Sequence, residues 1–158
     1  NPLAMKVGPK SCPQKLIAHL RDQPRRAAPV TLICRMGVRQ VGAKLKRLIE
    51  CVQAAKMDVV WCIDPMHGNT YTSLGRKWRR LSDICEELAW AIDLLQTHGC
   101  RVSGLHLETT QDSVQECLNP GESEQHHYRT TTLCDPRLNP SQTQHVLGVL
   151  KRCKRSLA

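Results

Sequence analysis

Val59-Val60-Trp61-Cys62-Ile63-Asp64-Pro65-Met66-His67-Gly68-Asn69 is an apolar run that ends in a polar, proline-bearing loop. Its β-branched and aromatic residues favour an extended chain, and Asp64-Pro65 closes it. Because the run does not alternate apolar with polar, it predicts a strand buried on both faces, as in a parallel sheet. Three other stretches have the same character: Leu3 to Val7, closed by Gly8-Pro9; Val30 to Cys34; and Val102 to Leu107, where Gly104 weakens the pattern but permits close packing. Helical periodicities separate them. Pro13 to Arg21 sets Leu16, Ile17 and Leu20 on one side, and Asp22-Gln23-Pro24 stops it. Val41, Leu45, Leu48, Ile49 and Val52 recur at three- and four-residue steps, as do Leu81, Ile84, Cys85, Leu88, Ala91, Ile92 and Leu95 up to His98-Gly99. Asn119 to Glu124 reads as loop, and a capped basic helix is predicted from Ser141 through Val146, Leu147 and Leu150.

Strand, helix, strand, helix, strand, helix, strand is the order of right-handed crossover units around a parallel sheet, an α/β fold. Lys6 lies near the end of the first strand, Arg35 just past the second, His67 in the loop after the third and Glu108 at the end of the fourth. They follow one another at intervals of roughly 30 to 40 positions, typical of βα units in a (β/α)8 barrel, whose active sites gather at the carboxyl ends of the strands. A whole barrel takes about 200 residues or more. The expectation is therefore about four βα units, half of a TIM barrel, forming one partial domain over residues 1–158. The chain opens on Asn1 inside a strand-forming run and its first methionine is Met5, which reads as a piece of something longer.

Twenty-three Lys plus Arg against fourteen Asp plus Glu give a formal charge of +9, so the natural partners are anions. No apolar stretch approaches the roughly 18 residues a membrane-spanning helix needs, and the N-terminus lacks the regions of a signal peptide. Nine cysteines, an odd number scattered singly with no Cys-x-x-Cys pair, read as reduced thiols of a cytoplasmic protein rather than a disulfide scaffold or zinc ribbon. No phosphate-loop or nucleophile-elbow sequence occurs, so nucleotide hydrolysis and serine-hydrolase chemistry lack their usual markers.

On the barrel reading His67, Glu108 and Asp135 converge, a mixed nitrogen and oxygen set suited to Mn, Fe, Co or Zn. Taken singly each has a plainer role: His67 stabilising the Pro65 to Asn69 turn, Glu108 pairing with a surface cation, and Asp135 opening a turn before Pro136. Lys6 and Arg35 make either a phosphate clamp or two solvated strand-end charges. The cluster Arg76, Lys77, Trp78, Arg79 and Arg80 reads as a helix's solvated entry, a phosphate-binding patch or a nucleic-acid contact. Stacking residues are few, since the chain has three Trp, two Tyr and no Phe, and this disfavours nucleic acid.

Asp64-Pro65-Met66-His67-Gly68-Asn69-Thr70 resembles the signature of the class II 3-deoxy-D-arabino-heptulosonate 7-phosphate (DAHP) synthases. Other segments match that family in the same order: Asn1 to Pro9 its lysine-bearing strand, Arg35-Met36-Gly37 its arginine strand end, Gly104 to Thr110 with Glu116-Cys117, and Cys134-Asp135-Pro136-Arg137-Leu138-Asn139. The His-Leu-Glu-Thr-Thr wording looks closest to short-form members of phenazine-type pathways. The resemblance implies a metal-dependent transferase of the shikimate pathway of aromatic biosynthesis, a TIM barrel of which this chain is the C-terminal half and which condenses phosphoenolpyruvate with erythrose 4-phosphate. It implies His67, Glu108 and Asp135 as ligands of a divalent metal, Mn2+ first and Co2+ or Fe2+ as alternatives. It also implies Lys6 and Arg35 on phosphoenolpyruvate, Lys77 on erythrose 4-phosphate, and a homo-oligomer for the whole protein.

This chain departs from the family in places. The family's fourth metal ligand is a cysteine from an early strand, with which none of the nine cysteines aligns, and its upstream arginine and glutamate at the phosphoenolpyruvate site are absent too. The segment from His67 to Lys77 is one residue shorter than the family's, and about two residues are inserted between Tyr128 and Cys134. The rival expectation is a noncatalytic partner that binds phosphorylated ligands or another subunit without turnover.

Overall fold

The computed structural model describes residues 2–22, 28–126 and 128–155; Asn1 and the predicted helix stop at Gln23-Pro24 lie outside them. Four strands, β1 (Ala4–Val7), β2 (Val30–Cys34), β3 (Val59–Ile63) and, further on, Val102–Leu105, make one parallel sheet whose spatial order follows the chain. Helices α1 (Pro13–Arg21), α2 (Val41–Ala54), α3 (Leu81–Thr97) and α4 (Pro140–Arg155) follow in turn, each packed on its neighbour. Between β3 and α3 the chain makes a short 3-10 turn, His67–Asn69, and a hairpin of β4 (Tyr71–Ser73) and β5 (Arg76–Arg80). Val102–Leu105 is thus β6, and Cys117–Leu118 is β7, which pairs with β5.

All four predicted strands and all four predicted helices are present, with small shifts at the ends. β6 stops at Leu105, two residues short of the predicted Leu107, after a register irregularity opposite Trp61 and Cys62. Gly104 is not needed for close packing there, because a Cβ in its place would sit 3.7 Å from Cys62 Sγ, an ordinary contact. The cap of α4 is Asn139 rather than Ser141: Gln142 N–H donates to Asn139 Oδ1 at 3.0 Å, and Pro140 takes the first helical position. α3 ends as expected. Gly99, at φ +69°, accepts the left-handed conformation while Gly99 and Cys100 N–H return to Gln96 O and Leu95 O.

Burial of the sheet departs from the prediction. Leu32, Cys34, Trp61 and Ile63 pack with Leu45, Leu48, Ile49, Ile84, Leu88 and Ile92 of the helices in one core. The alternate residues, Thr31, Ile33, Val60 and Cys62, are only half-buried, and Lys6 is exposed. The sheet is covered on one face because the helices of consecutive crossovers lie along that side, and no layer of the described residues covers the other.

The basic cluster does lead into α3, whose N-cap is Arg80, but it does so as a strand and is not wholly solvated. Arg76–Arg80 is a strand held by β4 on one side and β7 on the other, with Trp78 and Arg79 buried. Leu74 and Gly75 form its turn with φ +50° and +73°, the pair of positive values that a tight two-residue hairpin of right-handed twist requires.

Candidate metal centre

Two loops meet at the carboxyl end of the sheet, and the sequence fits them together backbone to backbone. A Cβ on Gly37, after β2, would meet Gly68 O at 2.7 Å, and one on Gly68, after β3, would run into Gly37 N. Glu87 of α3 locks this contact. Its Oε1 accepts Met36 N–H at 2.8 Å and Gly37 N–H at 2.9 Å, and its Oε2 accepts Asn69 Nδ2–H at 2.7 Å. Asn69 in turn accepts Val38 N–H on Oδ1 and donates to Pro65 O. Burial pushes the Glu87 carboxyl up to about 7, against the three donors that favour its ionised form. Glu87→Gln would turn an amide N–H toward Asn69 Nδ2, a donor that cannot flip without losing Val38 and Pro65. A loss of about 1–3 kcal/mol in unfolding free energy is expected from urea titration; an unchanged midpoint would mean the bracket is dispensable.

The loop held in this way carries His67. Its Nε2 lies 3.4 Å from Glu108 Oε1, and its Nδ1 lies 2.7 Å from Asp64 Oδ2. Ligand atoms of His67, Glu108 and Asp135 all fall within 4.8 Å of one another, and so do those of Asp64, His67 and His106. The His106 ring stands 5.7 Å from that of His67, tilted by 43°. Glu108 follows β6, and its N–H contacts Met66 Sδ, so the β3 and β6 ends approach each other at this point.

Asp135 comes from the long segment between β7 and α4, which Glu116 secures. Glu116 accepts Thr131, Thr132 and Arg137 N–H together with the Arg137 guanidinium. Thr132 Oγ1 then donates to Asp135 O. Against the upward push of burial, these donors and the guanidinium bring Glu116 down to about 2.

Arg79 completes the site and is its least expected member. It is fully buried, with Nη1 on Glu108 Oε2 and on Pro136 O, Nε donating to Thr70 Oγ1 at 2.8 Å, and Nη2 3.9 Å from Asp135 Oδ2. It thus faces one oxygen of each carboxylate and leaves Glu108 Oε1 turned to His67. Lys77 Nζ donates to Asp135 Oδ1 at 2.7 Å; Lys77 foremost and Arg79 beside it hold that carboxyl below the usual range.

The sequence-predicted residues divide into two groups. His67, Glu108, Asp135 and Lys77 stand together. Lys6, exposed on the open sheet face, and Arg35, half-buried just past β2, lie at the same end of the sheet, with no hydrogen bond or ion pair to that cluster among the described residues. Among the described residues Arg35 Nε is buried with no hydrogen-bond partner. The plainer reading of Glu108 also holds in one respect: it pairs with a cation, although a buried one.

The donor set fits a divalent transition ion. One imidazole nitrogen with two carboxylates is the chemistry of such sites, and 3.4 Å between Nε2 and Oε1 suits neighbouring ligands each about 2.1 Å from one ion. No helix among the described residues is long and apolar enough to cross a membrane.

The sequence profile described as the Class-II DAHP synthetase family matches residues 1–149. The chain is 37% identical over 149 residues to the phospho-2-dehydro-3-deoxyheptonate aldolase of Streptomyces coelicolor, covering 90% of this chain and 33% of that protein. It is 38% identical over 150 residues to the enzyme of the same name from Neurospora crassa, with 90% and 31% covered. With phospho-2-dehydro-3-deoxyheptonate aldolase AroG of Mycolicibacterium smegmatis it shares 35% over 149 residues, with 90% and 32% covered. The chain spans about a third of the length of these curated relatives.

Proposed function

The chain belongs to the class II DAHP synthetase family, and from that premise we propose that it is the metal-binding half of a DAHP synthase barrel. The whole protein joins phosphoenolpyruvate to erythrose 4-phosphate and releases phosphate. The observation that carries this reading is the meeting of His67, Glu108 and Asp135 at the carboxyl ends of parallel strands. The half-barrel is supported by a sheet whose order follows the chain, with helices on one face and the other face open.

A divalent ion in this site, Mn2+ by family resemblance, would supply Lewis-acid polarisation of the aldehyde carbonyl. His67 Nε2, Glu108 Oε1 and an Asp135 oxygen are the atoms that would hold it. Arg79 sets a buried counter-charge beside both carboxylates and fixes which oxygen of Glu108 faces inward. Lys6 and Arg35, at the ends of β1 and β2, would take the phosphate of phosphoenolpyruvate, with Arg35 offering a forked donor set whose Nε has no hydrogen-bond partner among the described residues. Lys77 would leave Asp135 for the phosphate of erythrose 4-phosphate. Cations on separate elements hold two anions that repel each other close enough to react, which removes much of the entropic barrier.

The test is formation of DAHP from the two substrates with added Mn2+, assayed on this chain and on any longer reading frame that contains it. Activity in either, lost in His67→Ala together with Mn2+ binding by calorimetry, is the expected result. Full activity and unchanged metal affinity in His67→Ala would overturn the site. The second reading, a noncatalytic chain that binds phosphorylated ligands or a partner, rests on Lys6 and Arg35, which stand at neighbouring strand ends with no hydrogen bond or ion pair to the His67 cluster among the described residues. It predicts phosphoenolpyruvate binding that weakens in Arg35→Ala, without turnover in any frame.

A further inference from the structure

Asp64 is completely buried, and both of its oxygens point at the loop that carries His67. Oδ1 accepts the backbone N–H groups of Met66 and His67, each at 3.1 Å. Oδ2 lies 2.7 Å from His67 Nδ1, and among the described residues neither of these two buried atoms has a hydrogen-bond partner, which leaves each as the nearest group that could satisfy the other. The backbone on either side is pinned: Asp64 N–H donates to Cys34 O of β2 and His106 N–H to Ile63 O of β3, both at 2.8 Å.

A carboxylate oxygen can only accept, so the contact between Oδ2 and Nδ1 satisfies both atoms only if the imidazole proton is on Nδ1. We infer that Asp64 is a positioning residue that holds His67 as the Nδ1–H tautomer and turns the lone pair of Nε2 toward Glu108 Oε1. This rests on the metal-centre reading proposed above, because Nε2 is the nitrogen that reading needs free. A carboxylate behind a ligating imidazole also fixes the ring's rotation and makes the far nitrogen a better donor to a cation.

Asp64→Asn separates the two jobs of the side chain at constant shape. The single oxygen of asparagine must serve either Met66 and His67 N–H or His67 Nδ1–H. Facing the two backbone donors costs one hydrogen bond instead of two, so the amide NH2 turns toward Nδ1. Nδ1 then becomes the acceptor and the ring proton moves to Nε2, where it would block the site.

The experiment uses the metal-free chain labelled with 15N in histidine, at about pH 8, above the ordinary imidazole range. His67 is assigned through the His67→Gln variant. The expected result is a protonated Nδ1 and an unprotonated Nε2 in the parent, exchanged in Asp64→Asn. Calorimetric titration with Mn2+ alone should show Asp64→Asn binding about 10- to 100-fold more weakly. A proton on Nε2 in the parent overturns the inference, with no variant required. A parent proton on Nδ1 beside unchanged Mn2+ affinity in a folded Asp64→Asn also overturns it and leaves the metal centre standing. Unchanged Mn2+ affinity in His67→Gln removes the centre itself.

Discussion

Replacing Arg79 by methionine is expected to destabilise the metal-free chain by about 3–5 kcal/mol, because it strips the buried counter-charge from two carboxylates that stay in place. For a chain of this size that is a fall of about 6 to 20 °C in melting temperature. The arginine itself is fully buried, whereas Glu108 and Asp135 keep 29% and 21% of their side chains exposed, so water relieves part of the loss and the lower end of the range is favoured. Methionine fills much the same volume, which keeps cavity formation out of the comparison. Mn2+ should raise the melting temperature of Arg79→Met more than that of the parent. The ion supplies the positive charge that the variant lacks beside the two carboxylates. Melting curves of the two proteins, with and without Mn2+, decide the matter. A variant that melts with the parent would show that Arg79 is not what neutralises the acidic pair.

The fold was legible where one interaction dominated. Val30 to Cys34 and Val59 to Ile63 are largely apolar runs whose β-branched residues leave little choice but a strand, although only one face of it is buried. The stripe from Leu81 to Leu95 sets the phase of α3 along its length. The hairpin between Tyr71 and Arg80 was hidden for two reasons. Leu74 sits at φ +50° in a turn position where Asn or Gly is the usual signal. Arg76–Arg80 has four cations in five residues, and pairing with Tyr71–Ser73 and Cys117–Leu118, not its own propensity, makes it a strand.

The candidate site divides along the same line. His67, Glu108 and Asp135 could be named because each follows or approaches a recognisable element. The burial of Arg79 could not, since its partners Glu108, Asp135 and Pro136 are far along the chain and nothing local distinguishes it from Arg76 or Arg80. Glu87 did carry a signal that could have found it: it falls in phase with Ile84, Leu88 and Ala91, which sets a charge on the core face of the helix. Asp64 was visible too, three residues before His67, but its role depends on the reversal of the chain at Pro65-Met66, which spacing alone does not show.

Glu116→Gln is expected to lower stability at neutral pH by about 3 kcal/mol and to weaken Mn2+ binding with it. Oε1 of Glu116 accepts Thr131 N–H, Thr132 N–H and Arg137 Nη2–H, and Oε2 accepts the backbone and Nε protons of Arg137, all between 2.8 and 3.0 Å. Five donors converge on two oxygens, so an amide must set an N–H against at least two of them and leave the Arg137 guanidinium without its anion. Asp135 lies between Thr132 and Arg137, the two residues that Glu116 grips from either side, so loosening them disperses one candidate ligand. Because the folded carboxyl lies at about 2, below its unfolded value, it contributes stability above the ordinary carboxylate range. That contribution, about 3 kcal/mol for the shift, drains away as pH falls from about 5 toward about 2. Glutamine has nothing to titrate there. The gap in unfolding free energy between parent and Glu116→Gln should therefore be widest near neutrality and close steadily as the solution is acidified. A gap that stays constant with pH would assign the acid sensitivity to another group and reduce Glu116 to a neutral hydrogen-bond acceptor. A variant that loses stability but keeps full Mn2+ affinity would show that the Asp135 loop is placed by something other than this carboxylate.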